Sequence, residues 1–210
     1  MTGKEKISEI LKRLKKEYPD AKTALNFSDP FQLLAATILS AQATDVLVNK
    51  ITVSLFKKYK AVRDYAKAPL EALQQDVKSI NFYKTKAKNI QASAQIIEDK
   101  FHGKVPDTMD ALVTLPGVAR KTANIVLTSV YGINEGIAVD THVKRLSNLL
   151  GLTKNQDPVK IEQDLIAVTP KKEWGNISNL FIAHGRKICQ AKKMKHDECV
   201  LFDICPSRNK

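Results

Sequence analysis

Apolar side chains return every three or four positions along most of the chain. Ile7, Ile10, Leu11 and Leu14 set the period, and it recurs across 31–39, 46–56, 70–80 and 87–97. That spacing gathers apolar groups into one stripe on a helix, so each run predicts an amphipathic or buried helix. No run of similar length alternates with a period of two. The expected fold class is therefore all-α, with about ten short helices. Turn residues interrupt the helical runs at Asp29-Pro30, Gly103 to Pro106, Pro116-Gly117, Gly132 to Gly136 and Asp157-Pro158. Heptads, long fixed repeats and low-complexity linkers are missing, which excludes coiled coils and solenoids. Without a linker, any two domains must pack against one another.

One segment stands out. Met109 to Ser129 reads as helix, tight turn, helix: MDALVTL, then PGVA, then RKTANIVLTS. Pro116 lacks the amide hydrogen that would continue the first helix, and Gly117 can take the left-handed turn. The second helix is expected to start at Ala119 or Arg120, with its first amides unsatisfied and open to a phosphate.

Composition adds a partner class. The 210 residues carry 34 Lys and Arg against 22 Asp and Glu, a formal charge of +12, and the basic residues are spread over the whole chain. Such a balance favours a polyanionic partner such as nucleic acid. The N-terminus is charged and has no apolar signal core, and no stretch approaches the ~20 apolar residues of a membrane span. A cytoplasmic, nucleoid-associated monomer with no membrane contact is expected. The three cysteines, Cys189, Cys199 and Cys205, all lie near the C-terminus. An odd count in a reducing compartment argues against disulfides and leaves a metal site or plain thiols.

The segment Leu115-Pro116-Gly117-Val118-Ala119-Arg120-Lys121-Thr122-Ala123-Asn124, followed by Ile137-Ala138-Val139-Asp140-Thr141-His142-Val143, resembles the helix-hairpin-helix and following acidic segment of the endonuclease III family. The likeness extends to Leu39-Ser40-Ala41-Gln42-Ala43-Thr44-Asp45, to Phe82-Tyr83-Lys84-Thr85-Lys86-Ala87 and to His184-Gly185-Arg186, and so spans nearly the whole chain. It implies two helical domains with a DNA-binding cleft between them. Residues 22–133 would form a helical barrel with the hairpin at about 109–129, and residues 1–21 plus 134–210 a second domain with a C-terminal metal-cluster loop.

The same resemblance assigns Lys121 as nucleophile and Asp140 as its acidic partner. A free lysine, with a pKa of ~10.4, is a poor nucleophile at neutral pH, but a helix N-terminus, partial burial and a cation such as Arg120 would each lower that value. The expected target is C1′ of a damaged nucleotide, with the base leaving through an oxocarbenium-like state that a carboxylate stabilises. The resulting Schiff base permits β-elimination and strand cleavage. Read by residue type alone, Lys121 is an exposed helix lysine and Asp140 an N-cap.

Flipping a nucleotide out of the stack leaves a gap. Gln42 and Phe82 match positions that fill it, an amide facing the orphan base and a ring wedging the step; otherwise they are a turn residue and a core residue. Asn81 and Phe82 stand where relatives often carry glycine and leucine, and Ala119 replaces a frequent second hairpin glycine. Gly117, Ala119 and Arg120 are expected on the DNA backbone. His142 and His184 are assigned no catalytic role, His184 being structural.

The family closes its C-terminal loop with four cysteines, C-x6-C-x2-C-x5-C, around a [4Fe-4S] cluster. Here Cys189, His196, Cys199 and Cys205 stand at those spacings. Imidazole can ligate cluster iron, three thiolates with one imidazole also suit zinc, and a loop without metal is the third reading. A histidine ligand predicts metal loss at mildly acid pH. Lys192 and Lys193, inside the loop, would face phosphates.

The function expected is a bifunctional DNA glycosylase/AP lyase that removes oxidised or ring-damaged pyrimidines from double-stranded DNA. Two rivals remain: a monofunctional mismatch or purine glycosylase of the same superfamily, which Lys121 opposes, and a non-catalytic, redox-sensing metalloprotein that binds DNA.

Overall fold

The structure is a computed structural model and describes residues 2–209. It is all-α: among the described residues the only β pairing is an isolated bridge between Cys189 and Met194. The first helix, α1 (Gly3–Glu17), starts on a capping box. Thr2 Oγ1 accepts from the Glu5 amide and Glu5 accepts back from the Thr2 amide. Its predicted stripe of Ile7, Ile10, Leu11 and Leu14 is buried. Then follow α2 (Pro30–Ser40), α3 (Asp45–Lys58), α4 (Val62–Lys67), α5 (Leu70–Asp76), α6 (Tyr83–Phe101), α7 (Met109–Leu112) and α8 (Arg120–Val126). The chain ends with α9 (Thr141–Leu149), α10 (Pro158–Val168) and α11 (Trp174–Lys187).

The described residues divide into two compact units, one running from Ala24 to Ile133, the other combining the stretch up to Thr23 with Asn134 onward. In the Ala24–Ile133 unit, α2 is apolar almost all round and forms the centre of the core, its Phe31, Leu33, Leu34, Ala35, Ala36 and Leu39 all buried. The long α6 packs against α2, α4 and α5. Asp29 accepts from the Gln32 amide at 2.9 Å with Pro30 in the first turn, so the break read at Asp29-Pro30 is a helix start. The other unit packs α1 with α9, α10 and α11 around Ile10, Leu14, Leu146, Ile161, Leu165 and Phe181.

Two predicted helices are shorter than their apolar stripes. The run 70–80 is helical only to Asp76; Val77 and Ile80 stay buried because a turn, closed by the Ile80 amide on Val77 O at 2.9 Å, folds them inward. The first hairpin helix stops at Leu112. Beyond it, Thr114 and Leu115 bond back three residues instead of four, and Thr114 Oγ1 competes for Ala111 O at 2.7 Å. No helix among the described residues is long and apolar enough to cross a membrane.

Candidate functional site

Within the Ala24–Ile133 unit the hairpin turn is closed by the Val118 amide on Leu115 O at 3.1 Å, with Pro116 and Gly117 at its corners. Gly117 has φ +79°, the left-handed value this turn demands at its third residue. The turn is seated on α6. Ser93 Oγ, fully buried, donates to Pro116 O at 2.9 Å, and a Cβ on Gly117 would lie 2.8 Å from Asn89 Nδ2. Ala119 is the N-cap of α8, has extended backbone and offers no side-chain acceptor. The first helical bond is the Ala123 amide to Ala119 O at 3.0 Å. The amides of Arg120, Lys121 and Thr122 precede it and have no acceptor within the helix. α8 then runs into a π-helical turn at Leu127–Tyr131, ended by Gly132 in the left-handed region.

Lys121 and Arg120 both occupy the first turn of α8 and both are exposed. The partial burial expected of Lys121 is therefore not found: its side chain is exposed.

Asp140, in the other unit, caps α9: its Oδ1 accepts from the Val143 amide at 2.8 Å. That bond fixes the carboxylate at a helix start, where the dipole favours a negative charge, and leaves Oδ2 open. The residue is half-buried. The cap thus engages only one oxygen of this carboxylate.

Gln42 and Phe82 are both exposed, and Phe82 keeps 65% of its surface in solvent, so neither is a core residue. Both hold positive φ, +54° and +58°, which non-glycine residues adopt only where the surroundings enforce it. What enforces it at Gln42 comes from the segment around α6. Lys86, only 6% exposed, donates from Nζ to Leu39 O at 2.9 Å and to Ala41 O, capping the C-terminal end of α2. Burial lowers its pKa from the ordinary lysine value. Asn81 Nδ2 donates to Gln42 O at 3.2 Å.

In the C-terminal loop, Cys189, His196, Cys199 and Cys205 line one small cavity together with Leu149, Ile188 and Phe202. No three metal-binding side chains among the described residues close around a common point. The sulfurs face other partners: Cys199 Sγ lies 3.5 Å from His184 Nε2, and Cys205 Sγ 3.8 Å from Leu149 O. Burial pushes the Cys189 and Cys199 thiols up, so a metal would have to displace their protons. His184 is buried and structural, bonded through Nδ1 to the Tyr18 hydroxyl at 3.1 Å; burial pushes it down to about 4 and the Tyr18 phenol up to about 12, which keeps both neutral.

Two anchors of this loop were not read from the sequence. Arg145 Nη2 donates to Gly185 O at 3.1 Å and to Cys189 O at 2.7 Å, and a Cβ on Gly185 would lie 2.8 Å from His142 Nδ1. Arg13 reaches from α1 to Val200 O at 3.0 Å and to the Asp203 carboxylate. Within the loop Lys192 and Lys193 are exposed, while Lys195 pairs with Glu198 at 3.4 Å.

Comparison with known proteins gives one answer. The family described as HhH-GPD superfamily base excision DNA repair protein matches residues 35–171. Endonuclease III of Synechocystis sp. is 49% identical over 97% of this chain and 93% of its own. Endonuclease III of Bacillus subtilis is 44% identical over 98% of this chain and 94% of its own. A solved structure of a trapped endonuclease III–DNA covalent intermediate, an estranged-adenine complex, superposes with a TM-score of 0.92 at 42% identity, covering 99% of this chain and 98% of that one.

Proposed function

This chain belongs to the endonuclease III family of HhH-GPD base excision repair proteins, is a DNA glycosylase with AP lyase activity, and, we propose, performs both steps with the amine of Lys121. The observation that carries this reading is the near-complete likeness to an endonuclease III caught covalently on DNA, in a chain whose exposed lysine opens the helix after the hairpin turn. Nζ attacks C1′ of the extruded nucleotide and the C1′–N bond to the base breaks. The sugar ring then opens to an iminium between Nζ and C1′. Loss of a C2′ proton with departure of the 3′ phosphate cleaves the strand, and water releases the lysine. Asp140 stabilises the positive charge that grows on the sugar as the base leaves, through the oxygen its cap bond leaves open. Desolvation of Lys121, missing in the free chain, arrives with the DNA.

Double-stranded DNA is the partner. Gly117, Ala119 and Arg120 present amides and a guanidinium to one backbone stretch, while Lys192 and Lys193 add contacts without base preference. Gln42 and Phe82 fill the vacated step, as their exposure on enforced loops suits. Oxidised or ring-damaged pyrimidines are the substrates.

For the resident cofactor, Cys189, His196, Cys199 and Cys205 fit a [4Fe-4S] cluster in being the four donors around one cavity. When bound, the cluster supplies a covalent staple that orders the loop. The Cys3His set suits zinc equally in chemistry, and metal and sulfide analysis of purified protein distinguishes the two.

Borohydride trapping on duplexes containing an abasic site or thymine glycol tests the reaction. A covalent adduct is expected with the wild type and none with Lys121→Ala. An adduct that survives the substitution refutes the assignment of Lys121, and base release without any adduct in the wild type makes the protein a monofunctional glycosylase.

A further inference from the structure

The loops bearing Gln42 and Phe82 lie 40 positions apart in the chain, yet beside the local turn bond of the Ala43 amide on Ser40 O, three long-range bonds reach the first loop from the segment carrying the second. Phe82 is the N-cap residue of α6. Lys86, one turn into that helix, donates to Leu39 O and Ala41 O beneath the Gln42 loop, and Asn81, just before Phe82, donates to the carbonyl of Gln42 itself. Gln42 and Phe82 are also two of only three non-glycine residues with positive φ among the described residues. Left to themselves, both would relax to negative φ, which would turn each side chain away from its present direction.

We propose that Asn81 is a positioning residue which locks Gln42 and Phe82 into one preformed reading head, and so sets how firmly the enzyme holds the strand opposite an extruded nucleotide. The inference rests on the step-filling role proposed for Gln42 and Phe82. Lys86 is buried and belongs to the mount as a whole, whereas Asn81 is exposed and touches Gln42 directly, so its amide adjusts the head without supporting the core. Preorganisation of this kind lowers the ordering cost of binding and leaves the chemical step alone. A glycine at position 81 could not make the bond, so the lock belongs to this chain's own sequence.

Asn81→Ala removes the amide, and one such hydrogen bond corresponds to roughly a fivefold effect on binding. KM on a thymine glycol duplex is expected to rise by about that factor, with kcat moving less than about twofold and the melting temperature unchanged. An abasic site in single-stranded DNA has no orphan base, and there KM should not move. In a Gln42→Ala background, the effect of Asn81→Ala should shrink, since the side chain being aimed is gone. A KM rise of equal size on single and double strands, or no rise on either, overturns the proposal. Gln42→Ala and Phe82→Ala separate the two levels: if both raise duplex KM and Asn81→Ala does not, the lock is wrong and the step-filling role stands. If neither raises it, that role fails and the lock falls with it.

Discussion

Gly117→Ala tests how the hairpin turn is held. The substitution meets two separate obstacles. At φ +79° an alanine carries the left-handed penalty of about 1–2 kcal/mol. Its Cβ would also lie 2.8 Å from Asn89 Nδ2, 3.0 Å from Asn89 Cβ and 3.2 Å from Asn89 Cγ. The amide end of Asn89 can swing aside, but its Cβ is fixed to α6, so the turn must rise by a few tenths of an ångström. The Ser93 bond to Pro116 O, now 2.9 Å, lengthens with it. Together these effects sum to about 2–3 kcal/mol, a fall in melting temperature of roughly 5–10 °C for a chain of this size. Because the displaced turn sets the start of α8 and hence Lys121, single-turnover base release should fall by about tenfold or more. Asn89→Ala in the same chain clears the amide but keeps the Cβ, so the double variant should regain only part of the stability and none of the conformational term. Differential scanning fluorimetry and quenched-flow cleavage of a thymine glycol duplex measure both. A Gly117→Ala protein that melts within about 1 °C of wild type would falsify the account of the turn.

Other expectations follow from single contacts. Asp140→Asn keeps an acceptor for the Val143 amide, so melting should change by less than about 0.5 kcal/mol while base release drops by about a hundredfold, whereas Asp140→Ala should lose both the rate and about 1 kcal/mol of cap; equal stability in the two variants would disprove the division of labour between the oxygens. Arg145→Met strips the donors from Gly185 O and Cys189 O, and purified protein should retain less metal per chain and melt earlier, by about 1–3 kcal/mol. Lys192→Ala combined with Lys193→Ala should flatten the salt dependence of duplex binding by roughly one to two units of log–log slope, with no change in lesion preference. Asp164 accepts from the Thr153 hydroxyl and from Asn155, which holds its carboxyl below the ordinary 3.8. A depressed carboxyl contributes stability present above that ordinary value and lost as pH falls through the lower, folded-state value. The urea midpoint of wild type should therefore drop on acidification below pH 3.8, and Asp164→Asn should show a shallower drop.

Local pattern carried a good deal of this molecule. The stripe of Ile7, Ile10, Leu11 and Leu14 is buried because a 3.6-residue period admits only one inward face. Asp29-Pro30 and Asp157-Pro158 start helices because a carboxylate and a preset φ act within three residues. Gly117 sits at positive φ for the same short-range reason. What the sequence left open was every bond whose partner lies far along the chain. Lys86 reads as one more solvated lysine, although its place on the buried stripe of Ile90, Ser93 and Ile97 was a usable signal; its acceptors stand 47 and 45 residues away. Asn81 finds Gln42 across 39 residues, Arg145 finds Cys189 across 44 and Tyr18 finds His184 across 166. Spacing fixes which groups share a helix face, since covalent geometry carries that information over a turn or two. Which faces then meet, and which polar group is left buried enough to need a partner, is settled only when the packed core removes water from both.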